Sequence, residues 1–465
     1  MSGMHGAAGR FQSDTGQLSD DARPGYFSHR GSRQGRSRHE RNDKIGSRRR
    51  ACICSRRAAG LHHALFVSLP QPCAIRPAHK RRLVRRLFAG WDGETMNDIL
   101  RFADEFGPSR IIHVHDPAID LRAVLVVDNV AAGPAIGGLR MAPDVSTEEC
   151  FRLARAMTLK NAAAGLAHGG GKVVLYGDPK MPREGKERLI RCLACALGDI
   201  RDYIFGPDMG TDEACMAWVK NEIGRSVGLP RELGGIPLDQ IGATGWGVAH
   251  AAEIAVPYCG FELAGARVVI QGYGAVGRHA ARFLALKGAI VVGAADSAGT
   301  LADATGIDLA LLDTLKAEGK SVLDYPRGEK LGRDAIVDIE SDIWIPAARP
   351  DVVHDDNVAR LKTRLVVQGA NIPFTRGAET FLHQSGVLCV PDFIANAGGV
   401  ICAAVEYHGG NEATALDTIA AKVRENTREV IEAACKRGQL PRDAALELAT
   451  ARVRKAMSLR RWGVF

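Results

Sequence analysis

Strand and helix patterns alternate from residue 110 to about 396, a strand–glycine–helix unit begins at Arg267, and an all-helical stretch covers 411–458. Together these predict an α/β protein of two domains. An N-terminal α/β domain is expected over 96–237. A Rossmann-type doubly wound parallel sheet should follow over 238–410, with C-terminal helices over 411–465 closing the structure.

The 465 residues are 46% hydrophobic and 25% charged, an ordinary globular composition. The formal charge of +8 is unevenly placed. Residues 1–95 hold 19 Lys+Arg against 7 Asp+Glu, a net of +12, which leaves the body at −4. That body has no basic face, so no nucleic-acid partner is expected. The Arg-rich leader shows no sustained apolar period and should pack no core. A transit peptide is one reading of it. A start codon chosen too far upstream is the preferred one, because Met96 opens the first helix-like segment. No apolar run reaches the length of a membrane span, and nothing at residue 1 resembles a secretory signal. Eleven scattered cysteines predict no metal site and a reducing, cytoplasmic setting. Cys192-Leu-Ala-Cys195 lies in an apolar helical pattern and reads as two small core residues.

Within the body, Ile111–His115 and Ala123–Val127 read as strands and Pro134–Arg140 as a glycine turn. Ser146-Thr-Glu-Glu149 has capping-box spacing and opens a helix that runs past Met157 to Ala162. The glycines 169–171 should break that helix as a loop, leaving Lys172–Tyr176 as a strand and a further helix near 183–199. From Arg267 the order is strand, glycines, helix 275–286, and strand 290–296. Three later strands begin at Ile343, Leu365 and Val387, each ending in a small polar loop.

Gly272-Tyr-Gly274-Ala275-Val276-Gly277 alone would be weak evidence. Here it follows a strand, opens a helix, and is trailed by Asp296 at the end of the next strand, 24 residues after Gly272. The glycines permit a tight turn and close approach of a pyrophosphate to a helix N-terminus. Asp296 would accept hydrogen bonds from the adenosine ribose. With no Lys or Arg adjacent in sequence, NAD is expected over NADP.

Lys160 and Lys172 stand twelve residues apart, the second after three glycines, and Asp208 follows in Gly-Pro-Asp-Met-Gly. Amine chemistry at an α-carbon needs a lysine that gives up its proton near neutral pH. Burial and a second cation supply that pressure, by up to about 3–5 units when complete. An acid nearby can then take the proton. Taken alone, Lys160 reads equally as a surface lysine and Asp208 as a turn former. His168 reads as a loop or packing histidine.

The order of these elements resembles the glutamate/leucine/phenylalanine/valine dehydrogenase family, closest to its leucine-dehydrogenase-like members. The matching stretches include Gly133-Pro-Ala-Ile-Gly-Gly-Leu-Arg-Met141, Met157-Thr-Leu-Lys-Asn161, Gly169-Gly-Gly-Lys172, Pro207-Asp208, Ala243-Thr-Gly245, Gly369-Ala-Asn371 and Asn396-Ala-Gly-Gly-Val400. The resemblance implies that Lys160 pairs with the substrate α-carboxylate, that Lys172 is the catalytic lysine, and that Asp208 moves protons to and from the amino group. It implies that Gly137 and Gly138 line the carboxylate end, that Thr244 and Asn371 lie near the nicotinamide and its ribose with Ala347 on the cofactor side, and that the chain forms a homo-oligomer.

Glutamate-specific members carry a lysine where this chain has Ile136, and a serine where it has Ala403. A γ-carboxylate would then be buried without a partner, at a cost of about 3–5 kcal/mol. An aliphatic side chain gains about 0.8 kcal/mol per buried methylene. Leucine, isoleucine or valine is therefore the expected substrate, with glutamate and phenylalanine as alternatives. Asp296-Ser-Ala-Gly-Thr300 and Ile345-Pro-Ala-Ala348 look more like the glutamate branch. A non-catalytic NAD-binding sensor is the competing class, against which the intact Lys160, Lys172 and Asp208 set speaks. A 2-hydroxy-acid dehydrogenase would need a His/acid pair and an arginine near the glycine motifs, which the chain lacks.

Overall fold

The computed structural model describes residues 101–460. The basic leader and the helix-like start at Met96 lie outside the described residues. The first domain is a five-stranded mixed sheet. Its strands β1 (Arg110–Asp116), β2 (Leu121–Asn129), β3 (Ala135–Ala142), β4 (Gly169–Tyr176) and β5 (Tyr203–Pro207) are ordered β1-β2-β4-β3-β5. β1 and β2 are antiparallel, as are β2 and β4, whereas β3 runs parallel to both β4 and β5. Helix α1 (Thr147–Ala163) covers one face, and α2 (Arg183–Ala196) with α3 (Glu213–Ile223) covers the other. β2 is buried almost throughout because its alternate side chains enter two cores: Val124 and Val126 pack with Phe151 and Ala154 of α1, and Leu125 and Val127 with Leu189 and Leu193 of α2.

Two sequence expectations are corrected here. Pro134–Arg140 is not a turn; it forms most of β3. The triple glycine is not a loop; it is the first half of β4. Neither stretch needs glycine for its backbone angles. Each needs it for proximity. A Cβ on Gly137 would lie 1.8 Å from the Gly171 carbonyl oxygen, and one on Gly170 would lie 2.0 Å from the Thr158 nitrogen of α1. The capping box is half made. Ser146 Oγ accepts from the Glu149 nitrogen at 3.1 Å, while the Glu149 carboxylate is taken by Arg140.

The second domain opens with α4 (Ala243–Ala255) and is built on seven strands. In chain order these elements are β6 (Arg267–Gln271), α5 (Ala275–Leu286), β7 (Ile290–Ala295), β8 (Thr300–Ala302), α6 (Leu309–Ala317), β9 (Glu329–Leu331), β10 (Ile343–Pro346), β11 (Leu365–Val367), α7 (Arg376–Gln384) and β12 (Leu388–Val390). The sheet order is β12-β11-β10-β6-β7-β8-β9. The first five are parallel, as expected, and β8 and β9 add an antiparallel edge that the short segments did not announce. Chain direction across the sheet reverses between β6 and β10, the position where open α/β sheets bind ligands.

Four helices complete the chain: α8 (Asp392–Ala395), α9 (Gly398–Tyr407), α10 (Glu412–Arg437) and α11 (Pro441–Leu459). The last two return to the first domain. Arg452 donates to the Ala163 carbonyl at 2.7 Å and Lys422 to that of Gly165 at 2.9 Å, placing two cations on the orphan carbonyls at the end of α1. No described helix is long and apolar enough to cross a membrane.

Candidate active site

Side chains alternate across a strand, so Ile136 and Gly138 of β3, Gly170 and Lys172 of β4, and Ile204 and Gly206 of β5 share the face that carries α1, and Asp208 follows in the same phase. Helix α1 is held close to that face. The fully buried Asp128 at the end of β2 accepts from Arg155 Nε at 2.8 Å and from Thr158 Oγ1 at 2.6 Å. Gly170 lets the backbone at Thr158 rest directly on β4. Lys160, two residues further, is thereby brought within electrostatic reach of Lys172 and Asp208.

Lys172 is 5% exposed, and its ammonium forms an ion pair with Asp208 Oδ2. Arg140 Nε donates to the same oxygen at 3.2 Å, and Arg140 also holds Glu149 at 2.6 Å. Burial alone would raise the Asp208 carboxyl, but Lys172 and Arg140 outweigh it and hold it below the usual carboxylate range. Lys160 is half-buried. Burial pulls it down to about 8, the carboxylates of Asp392 and Asp208 resist, and the Lys172 charge adds to the fall. The sequence singled out Lys160, Lys172 and Asp208, and the fold brings all three together. It passed over Arg140, although the residue stands within the matched Gly-Gly-Leu-Arg stretch.

Gly138 keeps this cluster open. A Cβ there would sit 2.7 Å from Asp208 Cβ and 3.1 Å from Lys172 Nζ. Gly138→Ala is therefore expected to displace the ion pair and to lower kcat by about 10²-fold, the usual cost of a misplacement near 1 Å. Steady-state kinetics beside a melting curve would check this, and an unchanged kcat would show that the pair tolerates the shift.

Beside the polar cluster, Ile136 and Ala403 pack together with Ile204, Val227 and Ala404, and Leu166 closes the group. Ile136 and Ile204 come from the sheet of the first domain and Val227 from the chain beyond β5, and the two alanines come from α9. Both positions picked from the sequence as apolar thus meet in one cluster. His168 does more than pack: its Nδ1 lies 3.0 Å from the Pro134 carbonyl and its Nε2 3.0 Å from His408 Nε2, just beyond α9. Of the CxxC pair, Cys192 leans on the core but Cys195 is exposed, its Sγ donating to Glu222.

The glycine fingerprint follows β6 and opens α5. Gly272 has φ +103°, and a Cβ there would meet Ala348 Cβ and the Ala347 carbonyl carbon, so the turn closes on the end of β10. A Cβ on Gly277 would be 2.1 Å from the Gly272 carbonyl oxygen. At Gly274, by contrast, a Cβ would meet nothing within 4 Å, and no side chain caps the N-terminus of α5 there. The first-turn N–H groups of Ala275 and Val276 therefore have no side-chain cap, and the space beside Gly274 is open. Asn371 Oδ1 accepts from Asn396 Nδ2 at 3.0 Å, and Thr244 packs against Gly398 and Gly399, which places both beside the same strand ends.

No Lys or Arg adjoins Asp296 in sequence, but the fold brings one to it. Lys316, in the last turn of α6, donates to Asp296 Oδ2 at 2.8 Å. Ser321 Oγ and the nitrogens of Ala298 and Val322 fill the remaining acceptor positions. The carboxylate is tied into the protein, and its charge is offset by a residue 20 positions away that no local motif flags.

Residues 234–461 match the family model described as Glutamate/Leucine/Phenylalanine/Valine dehydrogenase, and residues 108–225 match the one described as Glu/Leu/Phe/Val dehydrogenase, dimerisation domain. The chain is 39% identical over 358 residues to a glutamate dehydrogenase of Aeropyrum pernix, covering 72% of this chain and 85% of the relative. It is 35% identical over 394 residues to an NADP(+)-dependent glutamate dehydrogenase of Pyrobaculum calidifontis, covering 76% and 92%. The crystal structure of a hetero-hexameric glutamate dehydrogenase from Thermus thermophilus, in a Leu-bound form, matches with a TM-score of 0.68 at 30% identity, covering 76% of this chain and 90% of that one.

Proposed function

The chain belongs to the glutamate/leucine/phenylalanine/valine dehydrogenase family and is an amino-acid dehydrogenase, and on that premise we propose that it deaminates an L-amino acid with an apolar side chain, reversibly, to the 2-oxo acid and ammonia. The observation that carries the apolar part is the cluster in which Ile136 and Ile204, on the sheet face that bears Lys172, pack with Val227 and with Ala403 of α9. A nicotinamide dinucleotide supplies the hydride acceptor. Gly272, Gly274, Ala275, Val276 and Gly277 would hold its pyrophosphate, and Thr244, Ala347 and Asn371 would flank its nicotinamide half. Asp296 alone would favour NAD, but its oxygens are already bonded and Lys316 offsets its charge, so this reading takes NAD or NADP.

In this reading the Lys160 ammonium pairs with the substrate α-carboxylate near Gly137 and Gly138. Asp208, kept ionised by Lys172 and Arg140, takes a proton from the substrate ammonium so that the α-carbon can release hydride. Lys172 positions the water that attacks the resulting imine and stabilises the oxygen that develops on the same carbon. The Lys172–Asp208 pair then returns a proton to the departing ammonia. Domain 96–237 carries the substrate groups, domain 238–410 the dinucleotide, and 411–465 the bracing helices. The match to a dimerisation domain supports a homo-oligomer.

A second reading, glutamate as substrate, is favoured by the names of the relatives, which support it better than they support leucine or valine. Turnover across L-leucine, L-isoleucine, L-valine, L-phenylalanine and L-glutamate with NAD and with NADP separates the two. We expect kcat/KM for the best apolar substrate to exceed that for glutamate by about 10²-fold or more, the cost of burying an unpaired carboxylate. Glutamate as the best substrate would replace the first reading with the second. A protein inactive on every amino acid would point to the sensor.

A further inference from the structure

The apolar cluster has two walls: Ile136, Ile204 and Val227 on the sheet side, and Ala403 with Ala404 on α9. Val227 is fixed to β5, its nitrogen donating to the Phe205 carbonyl at 2.8 Å. Something must fix α9 relative to that wall, because apolar contact alone leaves two surfaces free to slide. One helical turn beyond Ala403 stands Glu406, only 9% exposed and with no ion pair among the described residues. Its Oε1 accepts from the Leu229 nitrogen at 3.2 Å and its Oε2 from the Ile236 nitrogen at 3.0 Å. Gly228 adds a further backbone donor.

Leu229 belongs to the core of the first domain and Ile236 to that of the second. One carboxylate oxygen is therefore bonded to each side of the segment that joins the domains. The segment is also fastened near the chemistry, since a Cβ on Gly228 would meet Pro207 Cδ at 2.6 Å, next to Asp208. Burying a carboxylate is costly, and burial pushes the Glu406 carboxyl above its usual range although three backbone N–H groups and the Lys220 charge oppose it. A side chain without these acceptors would leave a helix surface cheaper to bury, a cost that a geometric role would offset.

We propose that Glu406 is a positioning residue for substrate selection: it ties α9 to residues 228–236 and so sets the distance between the two walls that receive the substrate side chain. The inference rests on the side-chain site proposed above. Glu406→Gln keeps the shape but turns one acceptor into a donor facing a backbone N–H. The variant is expected to raise KM for the preferred amino acid about tenfold, the usual effect of one unsatisfied buried donor. The ratio of its kcat/KM to that of the next bulkier amino acid should fall by a similar factor, while kcat and the Kd for NADH hold within about twofold. A merely structural role would lower Tm and scale all substrates alike, and that result overturns the proposal. A parent protein that prefers glutamate sinks the apolar reading, whereas an unchanged selectivity ratio in the Gln variant sinks this one whatever the parent prefers. Should the variant not fold, hydrogen exchange on the parent decides: slow exchange at both Leu229 and Ile236 supports the tie, and exchange of both at exposed-loop rates refutes it.

Discussion

Replacing Lys172 by alanine is expected to lower kcat by about 10⁴-fold while leaving the Kd for NADH within about twofold. In the proposed mechanism the size follows from two losses at once, proton handling and stabilisation of the developing oxygen. Structure limits the damage elsewhere. Lys172 lies in a strand whose neighbours are buried and backbone-paired, so truncation removes a tip and leaves β4 in register. Asp208 loses its ion-pair partner but keeps Arg140 at 3.2 Å, so it remains a carboxylate held by one cation. The dinucleotide groups are on other strands and should not notice. Lys172→Arg is expected to restore the charge and the melting temperature but little of the rate, because a guanidinium does not exchange its proton near neutral pH. The measurement is steady-state kinetics with NADH binding followed by fluorescence. Retention of more than a few per cent of kcat in the alanine variant would mean that another group positions the water and stabilises the developing oxygen.

What the residues disclosed in advance was chiefly order and type. Helix α1, strand β6 with its glycine turn, and the later parallel strands carry strong periodicity, and each stands where the pattern placed it. Glycine misled where it served proximity instead of turning. Gly137, Gly138 and Gly169–Gly171 read as breakers, yet they are strand residues whose missing side chains let β3, β4 and α1 press together. Local sequence says nothing of what will lie above a glycine, so a close approach and a turn look alike. The site residues near one another in sequence or within a known stretch were legible: Lys160, Lys172 and Asp208. Partners that arrive from afar were not. Lys316 reaches Asp296 from the end of α6, Glu406 reaches Leu229 across 177 positions, and His408 reaches His168 across 240. Each is an ordinary polar residue on an ordinary helix or helix end, and only the tertiary packing gives it a role.

Replacing Lys160 by methionine is expected to raise KM for the amino acid by about 10²–10³-fold, because the substrate α-carboxylate would enter the site without its ammonium partner. The effect on kcat should be much smaller, since Lys172 and Asp208 still flank the α-carbon. The same residue predicts a pH dependence whose direction follows from its charge. Only the ammonium form attracts a carboxylate, and burial together with Lys172 lowers that form's stability until it titrates at about 8 in the free protein. Below about 8 the cation is present and kcat/KM is at its plateau. Above that value the free protein loses the charge, and kcat/KM should fall up to tenfold per pH unit. Bound substrate carboxylate favours the ammonium, so the matching limb in kcat should lie at higher pH than the limb in kcat/KM. Lys160→Arg keeps a cation that does not titrate in this range, and its kcat/KM should stay level where the parent's declines. The substrate's own amino group titrates identically with both proteins, so the difference between the two profiles isolates residue 160. Coincident profiles from pH 7 to pH 9.5 would mean that the carboxylate is held by a different group, and the paired-lysine account of the site would fall with it.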